Sequence, residues 1–153
     1  MCWKIAKKDF DKNPEKYHRV ADKDIVVYKF GNRTDNKFNP IFANTFSYSV
    51  NVLNKEVKLV LEETDEFFGG IRKIINEGYH SYAKEYFIFK RWVSHGLSEV
   101  VAIRKCDTVE KFIIPKGTEY YENPFGEIVS SNIIWTGEKS NISKQNNMKC
   151  VGK

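Results

Sequence analysis

Apolar and polar positions change their spacing several times along the chain, and each change predicts an element. Residues 1–22 are polar and irregular around Pro14; the apolar pair Trp3–Ile5 predicts a short strand or extended arm, followed by a loop. Asp24–Phe30 (DIVVYKF) is β-branched and aromatic and predicts a strand that Gly31 ends. Residues 32–40 (NRTDNKFNP) are turn formers and predict a loop. Val50, Val52, Val57, Leu59 and Leu61 alternate on both sides of Asn54–Lys55, which predicts a hairpin over residues 46–53 and 56–62. Ile71, Ile74 and Ile75 recur at helical spacing after Gly69–Gly70, with Gly78 as a stop. Ser81–His95 (SYAKEYFIFKRWVSH) is the best helical stretch, with Ser81 as its cap and Tyr82, Tyr86, Phe89 and Val93 on one face.

The second half is strand-rich. Glu99–Cys106 and Val109–Ile114 read as strands, Pro115–Lys116–Gly117 as a turn, and Thr118–Tyr121 as a short strand. Asn123–Gly126 turns the chain again, and Glu127–Ser130 and Asn132–Trp135 are extended. From Gly137 onward periodicity is lost, which predicts a loosely docked tail. The sum is an α+β fold: one domain over residues 1–137, a tail over 138–153, and a curved, mixed or mainly antiparallel sheet of about seven strands with two helices. No βαβα alternation and no GxxxxGK or GxGxxG phosphate loop occurs, so a doubly wound nucleotide fold is not expected.

Composition narrows the classes further. The 153 residues suffice to bury a core without disulfides or a metal. No stretch of 18 apolar residues occurs, so no membrane span is expected, and the first sixteen residues lack the apolar core of a secretory signal. Cys2, Cys106 and Cys150 are too scattered for a disulfide framework or a zinc knuckle, which favours a reducing compartment, the cytoplasm. The net charge of +5 comes from 20 Lys against 5 Arg. A mild positive field favours anionic partners, but no run of Lys and Arg is dense enough for a nucleic-acid patch, so nucleic acid is not expected. Eight Tyr, eleven Phe and three Trp are the unusual component. The abundance of Lys, Asn and Ile is the signature of an AT-rich genome, such as many phages carry.

Three constellations carry candidate chemistry. Gly78–Tyr82 (GYHSY) sets His80 between Tyr79, Ser81 and Tyr82 at the entry to the expected helix, where free N–H groups suit an anion; a capping turn with half-buried tyrosines is the plainer account. Ile114–Ser130 joins Lys116, Tyr120 and a strand-borne Glu127 around two turns, and Glu127 is placed to orient a ribose hydroxyl or act as a base; hairpin architecture is the plainer account. Lys90, Arg91, Trp92 and His95 offer phosphate contacts and a stacking ring, though a solvated basic face explains them more simply. No cysteine stands in a nucleophile–base arrangement, and no cofactor or metal is expected.

Val27–Lys29 (VYK), then GYHSY, then FIIPKGTEYYENPFGEIVS (Phe112–Ser130) resembles small phage and prophage proteins over residues 24–135. The same order is similar, more weakly, to the ADP-ribosyltransferase superfamily. That likeness implies a split, curved β-fold that clamps NAD, with Ser81 or Tyr82 as its middle element and Glu127 as its late-strand glutamate. Tyr28–Lys29 stands where that family has His or Arg, and His80 comes later in the chain. The phage resemblance and the composition together imply a non-catalytic binding protein that sequesters a nucleotide-derived immune signal of the host, a cyclic nucleotide or an ADP-ribose-type messenger; a homo-oligomer suits that role, because an inter-subunit cleft encloses a ligand better than one subunit's surface. Its expected ligand-binding set is Lys29, Tyr79, His80, Ser81, Tyr82, Lys116, Tyr120 and Glu127, converging on one aromatic-walled hollow. The alternatives are an ADP-ribosyltransferase-like enzyme acting on NAD or a nucleotide, and a protein–protein inhibitor of a host factor.

Overall fold

A computed structural model describes residues 3–40, 47–66, 70–84 and 108–140. In chain order the elements are β1 (Trp3–Ala6), α1 (Lys7–Lys12), α2 (Pro14–Tyr17), β2 (His18–Val20), β3 (Ile25–Thr34), β4 (Lys37–Pro40), β5 (Tyr48–Ser49) and β6 (Glu62–Glu66). They continue with β7 (Gly70–Ile75), β8 (Tyr79–Tyr82), β9 (Thr108–Ile114), β10 (Glu119–Glu122), β11 (Glu127–Ser130) and β12 (Ile134–Lys139). The α+β expectation holds: two short helices accompany an antiparallel sheet whose main path has seven strands in the order β12-β9-β3-β8-β11-β10-β2. β4 and β5 extend it beside β3, and β1-β7-β6 form a second, smaller antiparallel sheet.

Side chains alternate across a strand, so the register assigns residues to faces. Tyr120, Ser130 and Tyr79 form one cross-strand row; Tyr121, Val129 and His80 form the next, on the opposite face. The two faces carry separate cores. On the first, Val27, Phe38, Phe112, Ile128 and Trp135 pack with Tyr48, Tyr79 and Tyr120. On the second, Tyr121 and Val129 pack against Trp3, Ile5 and Ile75 of the small sheet and against Phe10 and Tyr17 of the helices. The helices are too short to hold themselves and stand because each buries one aromatic ring, Phe10 in α1 and Tyr17 in α2, with Pro14 opening α2.

Several expected elements take another form. The arm at Trp3–Ile5 is strand β1, but the loop expected after it contains α1, α2 and β2. The helix expected at Ile71–Ile75 is β7, because β-branched residues favour a pleated surface and β7 gains partners on both edges. Only Ile75 of its three isoleucines is fully buried, while Lys73 Nζ lies 2.6 Å from Glu63 Oε1 across the strand pair. The hairpin expected around Asn54–Lys55 does not form. Asn54 is instead tied to the chain before β12: its N–H donates to Asn132 Oδ1 at 3.2 Å, its Nδ2 donates to the Ile133 carbonyl at 2.6 Å, and its carbonyl accepts Asn132 Nδ2 at 2.7 Å. The expected helix over 81–95 is corrected at its start, where Ser81 and Tyr82 belong to β8; its remainder, and the strand expected at 99–106, lie outside the described residues. The chain does not loosen at Gly137, since β12 runs to Lys139 and Ser140 N–H donates to the Val109 carbonyl at 2.7 Å. The rest of the expected tail lies outside the described residues.

Gly31 does not end β3. The strand continues to Thr34 and turns through Asp35 at φ 52° into β4, so the loop expected at 32–40 is a hairpin. Gly31 is small because β4 passes over it: a Cβ there would stand 2.4 Å from the Asn39 carbonyl oxygen and 2.9 Å from Pro40 Cα. Both are backbone atoms and cannot rotate away. Gly31→Ala is therefore expected to lose about 2–3 kcal/mol in urea unfolding; a loss under ~0.5 kcal/mol would show that β4 does not approach as described.

Candidate functional site

The register distributes the candidate residues between the two faces. Lys29, Tyr79, Ser81 and Tyr120 belong to the first, and His80, Tyr82 and Glu127 to the second. The expected hollow joining His80, Tyr120 and Glu127 does not form, because the backbone of β8-β11-β10 runs between Tyr120 and the other two. A run such as GYHSY looks contiguous in sequence, yet in a strand it is dealt alternately to opposite sides. Lys116 stands apart from both groups in the β9–β10 turn, exposed, with its backbone N–H donating to Asp24 Oδ1 at 2.9 Å.

On the second face the polar residues are engaged structurally. Asn123 organises the β10–β11 turn: its Oδ1 accepts the N–H groups of Phe125 and Glu127, and its Nδ2 donates to the Lys4 carbonyl and to Glu127 Oε1, all at 3.0 Å. The Glu127 carbonyl accepts the Trp3 indole N–H at 3.0 Å, which anchors the small sheet to the large one. His80 lies in a strand rather than at a helix start, and its Nε2–H donates to the Asn76 carbonyl at 3.0 Å. Burial, opposed by that hydrogen bond and reinforced by the nearby Lys29 charge, lowers its pKa to about 4, so the ring is neutral at pH 7.

The first face holds the unusual chemistry. Lys29 sits at an inward position of β3, two residues after Val27, and is 6% exposed. Its Nζ donates to the His80 carbonyl and lies 5.6 Å from the ring centroid of Tyr48 and 5.9 Å from that of Phe112. No carboxylate of the described residues is within ion-pair reach of it. Each cation–π contact gives back about 2 kcal/mol when desolvated, and at 5.6–5.9 Å both lie near the outer limit of such contacts, whereas removing an ammonium from water costs several. Desolvation wins, and burial lowers the Lys29 pKa to about 7.

One step along the antiparallel register from the Tyr28–Tyr82 pair, Lys29 faces Ser81. Ser81 is 2% exposed, and its hydroxyl has no hydrogen-bond partner among the described residues. Buried hydroxyls are ordinarily paired, since an unmade bond costs about 1–3 kcal/mol. The aromatic walls are fixed around this pair. Tyr48 meets Phe112 edge-on at 5.1 Å and Tyr79 at 6.2 Å, and the Tyr79 hydroxyl donates to the Lys55 carbonyl at 2.5 Å. Burial pushes the Tyr48 and Tyr79 phenols up, so both stay neutral.

Beside Lys29, its cross-strand neighbour Glu110 is fully buried and already satisfied. Arg33 Nη2 donates to Glu110 Oε1 at 2.5 Å, Trp135 Nε1–H donates to the same oxygen at 3.0 Å, and the guanidinium lies 5.0 Å from the Trp135 ring centroid. Sequence reasoning did not single out Tyr48, Phe112, Arg33, Glu110 or Trp135. For Glu110 a signal existed, because it shares the parity of the core residues Phe112 and Ile114. For Tyr48, brought in by β4 and β5, none did.

Among the described residues no group of His, Cys, Asp and Glu is arranged to hold a metal, and no helix is long and apolar enough to cross a membrane. The class these features define is an antiparallel α+β protein with a buried lysine–serine pair inside an aromatic core. No protein-family model, no curated protein and no solved structure matches the chain.

Proposed function

We propose that the protein is a non-catalytic binding protein that sequesters a nucleotide-derived signal, a cyclic nucleotide or an ADP-ribose-type messenger, of a host's immune response, as a phage-encoded protein acting in the host cytoplasm. The observation that carries this reading is the Lys29 ammonium, buried between Tyr48 and Phe112 without a carboxylate. A lysine so placed supplies charge for a phosphate, and the tyrosine-rich wall supplies faces for a base. Sequestration needs no transition-state stabilisation, and the engagement of Glu127 with Asn123 suits a turn-holding role better than that of a base. Enclosure between two copies of the chain would slow release of the ligand.

Titration calorimetry against cyclic dinucleotides, cyclic trinucleotides and cyclic ADP-riboses tests the proposal. The expected result is binding at micromolar concentration or tighter, with the ligand recovered intact by chromatography. Absence of binding across that panel would overturn it, and release of nicotinamide from NAD would replace it with the enzymatic alternative.

A further inference from the structure

We propose that the Lys29 ammonium and the Ser81 hydroxyl, on the facing strands β3 and β8, form an internal subsite for one oxyanion group of a ligand. This rests on the binding reading above and names the part of the ligand that the first face holds.

The donor count leads there. An ammonium has three N–H donors and a hydroxyl one. Of these four, one reaches an acceptor, the His80 carbonyl; the Tyr48 and Phe112 rings face the ammonium, and the Ser81 hydroxyl has no partner among the described residues. Every nearby acceptor of high charge is already taken. Glu110, directly across from Lys29, accepts from Arg33 and Trp135. A buried ammonium with one of its three N–H groups on a carbonyl, across the strand pair from a buried hydroxyl that has no partner among the described residues, and with the adjacent carboxylate engaged elsewhere, matches a phosphate or a carboxylate. Both present several acceptor oxygens and a negative charge, and charge-assisted hydrogen bonds are the strong ones.

The subsite also couples binding to proton uptake. The titratable and charged groups of the described residues that surround Lys29 are Tyr48 on β5, Tyr79 and His80 on β8, Glu110 on β9 and Arg33 on β3. Burial holds both phenols and the imidazole neutral near pH 8, and the guanidinium keeps its charge. Lys29, lowered to about 7, is the group that changes state there. An arriving oxyanion favours its charged form, so above pH 7 binding draws a proton from solution and affinity falls by up to tenfold per pH unit.

The test uses the full chain with ¹⁵N-labelled lysine and inorganic phosphate as the probe, with acetate as the carboxylate arm. Phosphate is expected to move the Lys29 Nζ resonance at pH 7. At pH 8 its calorimetric enthalpy is expected to vary with the ionisation enthalpy of the buffer. Lys29→Met and Ser81→Ala are each expected to lose at least tenfold in phosphate affinity; Ser81→Ala removes a single oxygen and keeps the fold, as its thermal unfolding will report. A response to acetate alone assigns the subsite to carboxylate ligands and still supports it. A Lys29 resonance unmoved by either anion, or affinities equal in both variants, overturns it. The two proposals can fail separately. If phosphate binds through Lys29 but no nucleotide of the panel does, the subsite stands without the nucleotide reading. If nucleotides bind equally well to wild type and both variants, the nucleotide reading stands without the subsite.

Discussion

Lys29→Met is expected to stabilise the protein by about 1–3 kcal/mol at pH 7, although it removes a residue placed at the heart of the site. Methionine matches the length of the lysine stem and makes favourable sulfur contacts with aromatic rings, here Tyr48 and Phe112. It gives up the hydrogen bond to the His80 carbonyl but escapes the desolvation of an ammonium. The gain carries a pH signature. Because burial lowers the Lys29 pKa from 10.5 to about 7, the unfolded chain holds a proton there that the folded one has released between those values. Wild-type stability contributed by this residue therefore rises with pH across that window, by at most ~1.4 kcal/mol per pH unit, and is flat below it. In the methionine variant this rise is absent, so the advantage of the variant is largest at or below pH 7 and is lost as pH rises between 7 and 10.5. Urea unfolding of both proteins at pH 7, 8.5 and 10 measures it. A methionine variant less stable than wild type at pH 7 would mean that the lysine is held by interactions stronger than its desolvation.

Arg33→Met is expected to be the most damaging of the substitutions considered, with a loss of about 3–5 kcal/mol. Glu110 is fully buried, and Arg33 is its ion-pair partner at 2.5 Å. Removing the guanidinium leaves a carboxylate inside the first core with, among the described residues, only the Trp135 indole as donor. The side chain also covers the Trp135 ring and donates to the Gly137 carbonyl at 2.5 Å, so its stem and its charge act together. Arg33→Met combined with Glu110→Gln removes the stranded charge while leaving an amide oxygen for the indole N–H. The double variant is expected to recover at least half of the loss, and a double-mutant cycle reads the coupling directly. A single variant that loses less than ~1 kcal/mol would show that solvent reaches the carboxylate and that the pair belongs to the surface class.

Legibility in the sequence followed the range of the interactions that shape each segment. Val109–Ile114, Glu119–Glu122 and Glu127–Ser130 appear as strands within a residue or two of their expected limits, because β-branched and aromatic residues sit between Pro–Gly and Asn–Pro turns that act locally. Asp24–Phe30 was equally legible, though Gly31 misled: its lack of a side chain serves a strand crossing from residues 38–40, not a chain end. β7 shows the opposite case. The spacing of Ile71, Ile74 and Ile75 is helical, but its pairing partners lie about seventy residues earlier in β1 and just before it in β6. The site divides in the same way. Lys29 and Ser81 were among the candidates, whereas the rings of Tyr48 and Phe112 that enclose the lysine come from β5 and β9, and no spacing along the chain relates them.

What the chain determined by itself was its class: local β-propensity, turn chemistry and a moderate apolar fraction suffice for an α+β protein with a mainly antiparallel sheet. Tertiary structure alone decided which face each residue serves. A strand sends neighbouring residues to opposite sides, and only the pairing of β3, β8, β11 and β10 sets Lys29 beside Ser81 while turning His80 and Glu127 away into a second core.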